Sequence, residues 1–160
     1  MLSGHSESVS RGRSLRRPSV LGWLRLLRVV QRGERYLGER LKRWGLSNAQ
    51  FDVLAHVGAA EGITQQELAD SLLVTKGNVA QLLDRIEKRG LIERRSEGPT
   101  KRLFLTDEGR WMFDEVVPAH EDLICERLSV LSEEEQKQLL DLLRKLDHVL
   151  GKQRSATNKS

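Results

Sequence analysis

Two helical segments separated by only two residues constrain the fold of this 160-residue chain more than any other feature. Thr64 and Glu67 form a capping box at the start of the first segment, in which each side chain satisfies an orphan backbone N–H. The second segment begins near Thr75 and ends at Gly90, so residues 73–74 alone form the turn. A turn this short predicts a helix-turn-helix. The same box predicts two further helix starts, at Ser47 with Gln50 and at Ser132 with Glu135.

The second segment has an apolar face and a polar face. Its apolar positions recur at helical spacing and predict a face packed on the scaffold, formed by Val79, Leu82, Leu83 and Ile86. In a helix-turn-helix, the N-terminal part of this helix enters the DNA major groove. Asn and Gln can pair with adenine, and Lys can reach guanine or a phosphate. The predicted DNA-recognition residues are Thr75, Lys76, Gly77, Asn78 and Gln81. The structural alternative is a helical hairpin whose polar face only meets water.

After this helix the periodicity changes to that of strands. Two strand-like runs, 91–95 and 101–105, surround the turn residues 96–100, and Leu103 and Leu105 lie on one face of the second run. We therefore expect a β-hairpin with basic side chains around its turn. A cationic hairpin beside a recognition helix is typical of a wing that contacts the DNA backbone or the minor groove. The predicted wing contacts are Arg94, Arg95, Lys101 and Arg102.

Long apolar stripes flank this central part. Trp23, Val30, Leu37 and Trp44 recur every seven residues in a helix that begins near Pro18. Such a helix is not stable alone in water, so its apolar stripe predicts packing against another surface. A second subunit is the natural source of that surface. The last helix has a comparable stripe, formed by Leu139, Leu142, Leu143, Leu146, Val149 and Leu150.

The charge of the chain is unevenly distributed. Residues 1–45 carry eleven Lys and Arg against three Glu, and residues 75–105 carry eight basic against four acidic side chains. Residues 106–150 reverse the sign, with five basic and twelve acidic side chains. Basic segments beside an acidic one favour a polyanion as the partner of one face, although a solvated charged surface is the simpler alternative.

These segments, in this order, resemble the MarR (multiple-antibiotic-resistance regulator) family. The specific part is DRIEKRG at residues 84–90, followed by a hairpin and by LTDEG at residues 105–109. The resemblance covers roughly residues 18–150. The chain departs from the family pattern in its wing loop, residues 97–102, which is shorter and carries no Asp. Further matching runs are residues 45–54, 62–69, 118–120 and 131–135.

The resemblance implies a mainly α fold with a small β-hairpin, which is a winged helix-turn-helix with long N- and C-terminal dimerisation helices. It also implies a homodimeric transcriptional regulator, usually a repressor, that binds near-palindromic double-stranded DNA and is released by a small ligand. The expected organisation is a flexible basic arm over 1–17, an N-terminal dimerisation helix over 18–45, a winged helix-turn-helix lobe over 46–105, C-terminal dimerisation helices over 106–150 and a polar tail over 151–160.

A small aromatic or anionic effector is the ligand that we expect to control such a regulator. Arg28 and Arg32 are candidate cations for it, and Tyr36, Trp44 and His56 are candidate pocket walls where the long helices meet the DNA-binding lobe. Each residue has an ordinary structural alternative. The arginines could simply be exposed, Trp44 could pack in the core or an interface, and His56 could be a hydrogen-bonded helical histidine.

Enzymatic chemistry has no support in the sequence. The histidines His5, His56, His120 and His148 are far apart and show no metal or nucleophile spacing, and no Gly-rich phosphate loop follows a strand. We therefore expect neither catalysis nor a cofactor. A winged-helix module that binds protein is an alternative function, but the basic hairpin argues against it.

The single cysteine, Cys125, excludes a disulfide within these 160 residues and a thiolate-rich zinc site. A redox-sensing regulator that uses Cys125 is a further alternative. Acidic neighbours disfavour a reactive thiolate there, so we expect a passive, partly buried side chain. No apolar run approaches the roughly 18 residues that a membrane span needs, and we expect a cytoplasmic protein without a membrane partner.

Overall fold

The computed structural model describes the backbone of residues 17–72 and 76–157, and the side chains of 17–72 and 78–151. This part of the chain is mainly helical with one two-stranded hairpin, which confirms the predicted fold class. The elements in chain order are α1 (Pro18–Leu41), a short 3-10 helix (Lys42–Trp44), α2 (Asn48–Ala59), α3 (Gln65–Ser71), α4 (Lys76–Lys88), β1 (Ile92–Glu97), β2 (Thr100–Leu105), α5 (Asp107–Leu128) and α6 (Glu133–Thr157).

Side-chain caps fix where several helices begin. The capping box of α3 is present in both directions, because Thr64 Oγ1 accepts from the Glu67 N–H at 3.1 Å and the Glu67 carboxylate accepts from the Thr64 N–H at 2.8 Å. The equivalent boxes start α2 and α6. The sequence predicted all three helix starts, and the structure confirms them.

One apolar core holds α2, α3, α4 and the hairpin together. It consists mainly of aliphatic side chains, with Phe51 and Met112 also buried in it, since the chain has only seven aromatic residues. The inner face of α4 is part of this core, as predicted: three of its four apolar residues are buried and Leu82 is half-buried. The fully buried members include Val53, Leu54, Val57, Leu68, Val79, Leu83, Ile86, Leu91, Ile92 and Leu103.

The hairpin is longer and its turn tighter than the sequence predicted. The strands pair from Ile92 opposite Leu105 to Glu97 opposite Thr100, so the loop contains two residues and not the five of 96–100. Gly98 occupies the first central position with φ +60°, which is the glycine position of a type II′ turn. The φ of about −65° that Pro99 imposes fits the second position. A two-residue turn therefore extends both strands to the tip.

A close backbone contact joins the end of α4 to the start of α5. Gly90 ends α4 with φ +72°, and the Leu91 N–H then donates back to the Ile86 carbonyl at 3.3 Å. The Leu91 carbonyl accepts from the Thr106 N–H at 3.1 Å. A Cβ atom added at Gly109 would lie 1.8 Å from the same Leu91 oxygen. Only glycine lets α5 approach the α4–β1 turn this closely.

The end of α1 is tied to both neighbouring helices. The Asn48 side-chain amide, at the start of α2, donates to the Glu34 carbonyl of α1 at 2.9 Å. Arg89, just after α4, donates to the carbonyls of Trp44 and Gly45, at 3.2 Å for Trp44. Leu41 is buried, whereas the preceding turns of α1 carry no buried residue.

The chain forms two compact units, residues 1–117 and residues 118–160, with the division at Pro118 inside α5. Each unit exposes an apolar stripe. In the first it lies on α1, where Trp23, Leu27 and Val30 are about half exposed. In the second it lies on α6, at Leu139, Leu140, Leu142, Leu146, Val149 and Leu150. None of the helices in the described ranges is apolar over enough residues to cross a membrane.

We predict that Gly109→Ala lowers the free energy of unfolding by about 1–3 kcal/mol, because the new methyl group meets a backbone carbonyl that cannot move without breaking the α4–α5 junction. Gly22→Ala is the matched control. Nothing lies within 4 Å of its added Cβ, so it should stabilise α1 by about 0.5–1 kcal/mol. Urea unfolding at one fixed protein concentration measures both, and equal stabilities for the two variants would contradict the proposed packing.

Candidate nucleic-acid interface

Helix α4 presents one face to the core and another to solvent. Val79, Leu83 and Ile86 are buried, while Asn78 and Gln81 on the opposite side are exposed. Two of the predicted recognition residues are thus placed on an accessible helix face. Lys76 and Gly77 lie in the first turn of α4, but the Lys76 side chain and all of Thr75 are outside the described residues.

Arg85 belongs to the same exposed face, although the sequence analysis did not single it out. It lies seven positions after Asn78 and four after Gln81, and helical periodicity therefore aligns all three side chains. Lys88 extends this face by one further turn and is also exposed. The spacing that revealed the inner face could have found both residues, because it applies equally to the outer face.

The strand register separates the four predicted wing cations. Side chains alternate between the two faces of a strand, so Arg94 shares the inner face with Ile92 and with its partner Leu103. Arg95 and Arg102, which are opposite each other, lie on the outer face. The four cations are therefore not equivalent.

Arg94 is held by two carboxylates of α4. Its Nε donates to Glu87 at 2.9 Å, and its Nη2 donates to both Glu87 and Asp84. Only 19% of the Arg94 side chain is exposed. The hydrogen bond from Arg94 lowers the pKa of Glu87, and the bonds to Glu87 and Asp84 raise the pKa of Arg94. Since folding lowers the pKa of Glu87, the contact stabilises the fold at pH values above 4.5, the ordinary pKa of a glutamate. This stabilisation is lost as the pH falls through the lowered pKa of Glu87.

The outer cations of the wing are more exposed than Arg94. Arg95 bonds Glu93 and stacks over the Phe104 ring at 4.2 Å from its centroid. Arg102 donates from Nε to Glu97 at 2.6 Å and from Nη1 to the Gly62 carbonyl at 2.9 Å.

Among the described residues, Lys101 forms no ion pair. It lines a cavity of about 730 Å³ between the start of α3, the helix α4 and the wing. Ala80 and Asp84, one turn apart, form the α4 wall of this cavity. The other lining residues are Thr64, Gln65, Gln66, Arg94, Pro99 and Thr100. A concave surface that joins the recognition helix to a free cation can accommodate an anionic backbone.

The predicted ligand-pocket residues are only partly gathered in one place. Arg32 and Tyr36 line a cavity of about 590 Å³ on α1, together with Arg35, Glu39 and Arg40. Arg40 lies over the Tyr36 ring at 5.4 Å. Arg28 is exposed one turn earlier on α1.

The two remaining candidates of that pocket have other surroundings. Trp44 packs against the core, with the Arg43 guanidinium 4.9 Å from its ring centroid. His56 Nδ1 lies 2.7 Å from the Asp52 carbonyl oxygen of its own helix, in the helical arrangement foreseen as its alternative. Neither residue lines the α1 cavity.

The environment of Cys125 differs from the prediction. Its side chain is exposed and not partly buried, because it lies on a solvent-facing side of α5 within its unit. Within the described residues, no group of three or more His, Cys, Asp and Glu side chains is arranged to hold a metal ion. His5 lies outside those residues.

Comparisons with known proteins agree with this geometry. A protein-family model described as the MarR family matches residues 44–103, from the end of the 3-10 helix into the wing. An uncharacterized HTH-type transcriptional regulator of Bacillus cereus is 39% identical over 127 residues, covering 78% of this chain and 85% of the relative. The relatives of this kind are transcriptional regulators and not enzymes.

Solved structures show the same fold. A mutant of the MarR protein of E. coli complexed with operator DNA has a TM-score of 0.72 at 29% identity, covering 80% of this chain and 95% of that one. The S. aureus MepR–DNA complex gives 0.71 at 26% identity, with 78% and 95% covered. The winged helix-turn-helix, the sequence match and the relatives together show that this chain belongs to the MarR family of HTH-type transcriptional regulators.

Proposed function

We propose that this protein is a homodimeric repressor that binds near-palindromic operator DNA and is released by a small ligand. The observation that carries the proposal is the position of an exposed polar face on α4, with Asn78, Gln81 and Arg85, beside a basic wing. Similar regulators whose structures contain DNA support double-stranded DNA as the partner.

The two parts of this surface have different roles in the proposal. Asn78 and Gln81 contact base edges in the major groove, as their amide groups can pair bidentately with adenine. The amides protrude from a helix whose other face is buried, so the helix presents them in a fixed orientation. Lys101, Arg95 and Arg102 contact phosphates, which fixes the position of the protein on DNA without selecting a sequence.

We predict that Asn78→Ala costs about 1–3 kcal/mol on the preferred site and relaxes the preference at the base it contacts. Lys101→Gln should instead weaken binding to all DNA about equally and lower the slope of log affinity against log salt by about one unit. The preferred site comes from selection on random DNA, followed by titrations over a range of salt.

Lys137→Gln on α6 is a control with the same charge change, since this exposed residue pairs with Glu133 and Glu134 within an acidic segment. It should leave the slope unchanged. If Lys101→Gln changed the sequence preference and left the salt slope intact, the assignment of Lys101 to a phosphate contact would be wrong. A DNA affinity that did not fall with salt would show that phosphate contacts are absent, and it would favour the alternative of a protein-interaction module.

The dimer is proposed from the two exposed apolar stripes. Six of the large apolar residues on α1 and six on α6 are exposed, in contiguous stripes larger than scattered surface residues explain. A second copy of the chain covers both in the proposed dimer. Its two α4 helices would then meet half-sites about 34–36 Å apart, one turn of DNA.

We predict that the wild-type protein sediments as a dimer at micromolar concentration. Leu142→Glu should dissociate or unfold it, because the carboxylate would be buried in an apolar contact. Arg144→Ala, at an exposed position on the same helix, should remain dimeric. A well-folded wild-type monomer at this concentration would rule out the proposed dimer.

Ligand control is proposed from the contacts at the end of α1. The arginine-rich cavity of α1 offers cations and the Tyr36 ring to an aromatic acid. Arg89 connects the 3-10 turn that follows that helix to the end of α4, through the Trp44 and Gly45 carbonyls. A ligand that shifts α1 would therefore change the position of the recognition helix without touching its exposed face.

We predict reciprocal coupling of about 1–3 kcal/mol between an aromatic carboxylate such as salicylate and operator DNA, equivalent to roughly 5–150-fold in affinity. Calorimetric titration of salicylate into the free and the DNA-bound protein measures it, with Arg32→Gln as the variant that should lose ligand affinity. Equal affinities in the two states would exclude release by this ligand class.

A further inference from the structure

We propose that Arg94 is a positioning residue that fixes the wing against the recognition helix, and that it is not a phosphate contact. This inference rests on the proposed function, and it changes the role of one of the four predicted wing contacts. The group that we call the wing clasp consists of Arg94 on β1 and of Asp84 and Glu87 on α4.

The register of the hairpin directs Arg94 toward α4. Arg94 shares its strand face with Ile92, which is 1% exposed, and it is opposite Leu103, which is fully buried. Arg95 and Arg102 lie on the outer face, whereas Lys101 has the same strand parity as Arg94 and lines the cavity beside α4 without forming an ion pair among the described residues. Among the four wing cations, Arg94 is the one that forms ion pairs with described residues of α4.

The contacts of the clasp define a geometry as well as a charge pair. Asp84 and Glu87 are three positions apart on α4 and therefore lie on the same side of the helix. The planar guanidinium bonds both, through Nε and Nη2 to Glu87 and through Nη2 to Asp84. A guanidinium held at two nitrogens resists rotation of the hairpin about its strand axis better than a point charge would.

The charge balance of the clasp argues against a phosphate contact. Two carboxylates surround one guanidinium, so the group carries a net charge of about −1 near neutral pH, because the lowered pKa of Glu87 keeps it ionised. A phosphate that approached Arg94 would meet two anions at hydrogen-bonding distance from the same cation. Lys101 lines the same cavity and is exposed, and it forms no ion pair among the described residues.

The clasp matters for recognition because a winged helix-turn-helix binds bases and backbone at the same time. The affinity for the preferred site requires that the α4 face and the wing reach their contacts together. A wing that moves independently of α4 loses this simultaneous contact on the preferred site. Binding to non-specific DNA depends on charge alone and is affected much less.

Glu87→Gln distinguishes a phosphate contact from a positioning role for Arg94, because the two roles predict opposite changes in DNA affinity. If Arg94 contacted phosphate, removing a competing carboxylate would free the cation and raise DNA affinity. If the clasp positions the wing, Glu87→Gln weakens the clasp and lowers the affinity for the preferred site. The experiment compares wild type, Glu87→Gln, Arg94→Gln, the double variant and Lys101→Gln on the selected site and on unrelated DNA over a range of salt.

We expect Glu87→Gln and Arg94→Gln each to lower the affinity for the preferred site by about three- to tenfold, with an unchanged salt slope and a smaller ratio of specific to non-specific binding. The double variant should resemble the single ones, because both remove the same contact. Amide hydrogen exchange of the free protein should accelerate in β1 and β2 for both variants, but not in Lys101→Gln.

The outcomes distinguish this inference from the proposed function. Wild-type protein that selects no DNA refutes the proposed function, and the role of the clasp in recognition with it. If the wild-type protein binds a selected site, a lower salt slope for Arg94→Gln or a higher affinity for Glu87→Gln overturns the positioning role of Arg94 and leaves the proposed function intact. So does unchanged amide exchange in the hairpin of both variants.

Discussion

The burial of one face of α4 in the aliphatic core is the interaction on which the rest of the structure depends. Val79, Leu83 and Ile86 occupy the centre of that core, so the opposite side chains of the same helix are presented on a rigid support. The hairpin packs on the same core through Leu103 and Leu105. A change in the core would therefore move the recognition face and the wing together, and stability and recognition cannot be separated in this lobe.

Electrostatics in the wing are more balanced than its basic composition suggests. Three of its four cations have carboxylate partners within the chain, two of them on the hairpin itself. Exposed pairs of this kind contribute little to stability and exchange readily, so Arg95 and Arg102 can leave Glu93 and Glu97 for a phosphate. The net field at the wing is consequently weaker than a count of arginines indicates, and its strength depends on which pairs are broken on binding.

The sequence predicted the features that depend on local signals. Capping boxes and glycine stops gave the helix boundaries, and helical spacing gave the inner face of α4, since each depends on residues within one or two turns. The role of Arg94 could not be read in this way, because its partners lie on another element. Strand parity did not reveal it either, because the predicted loop over 96–100 would place Arg94 opposite Arg102, and only the observed two-residue turn brings Arg94 opposite Leu103. The two-residue turn was not predicted because residues 96–100, SEGPT, are all common in loops and gave no sign that the strands continue to Glu97 and Thr100.

The tip of the hairpin consists of Gly98 and Pro99, which together offer no charged side chain and only one backbone N–H. Six paired residues on each strand extend the wing by about 20 Å, but the part that reaches farthest from the core has almost nothing with which to distinguish one base pair from another. Under the proposed binding mode, base pairs beneath the wing tip are therefore read weakly, and the operator can vary in sequence at its flanks.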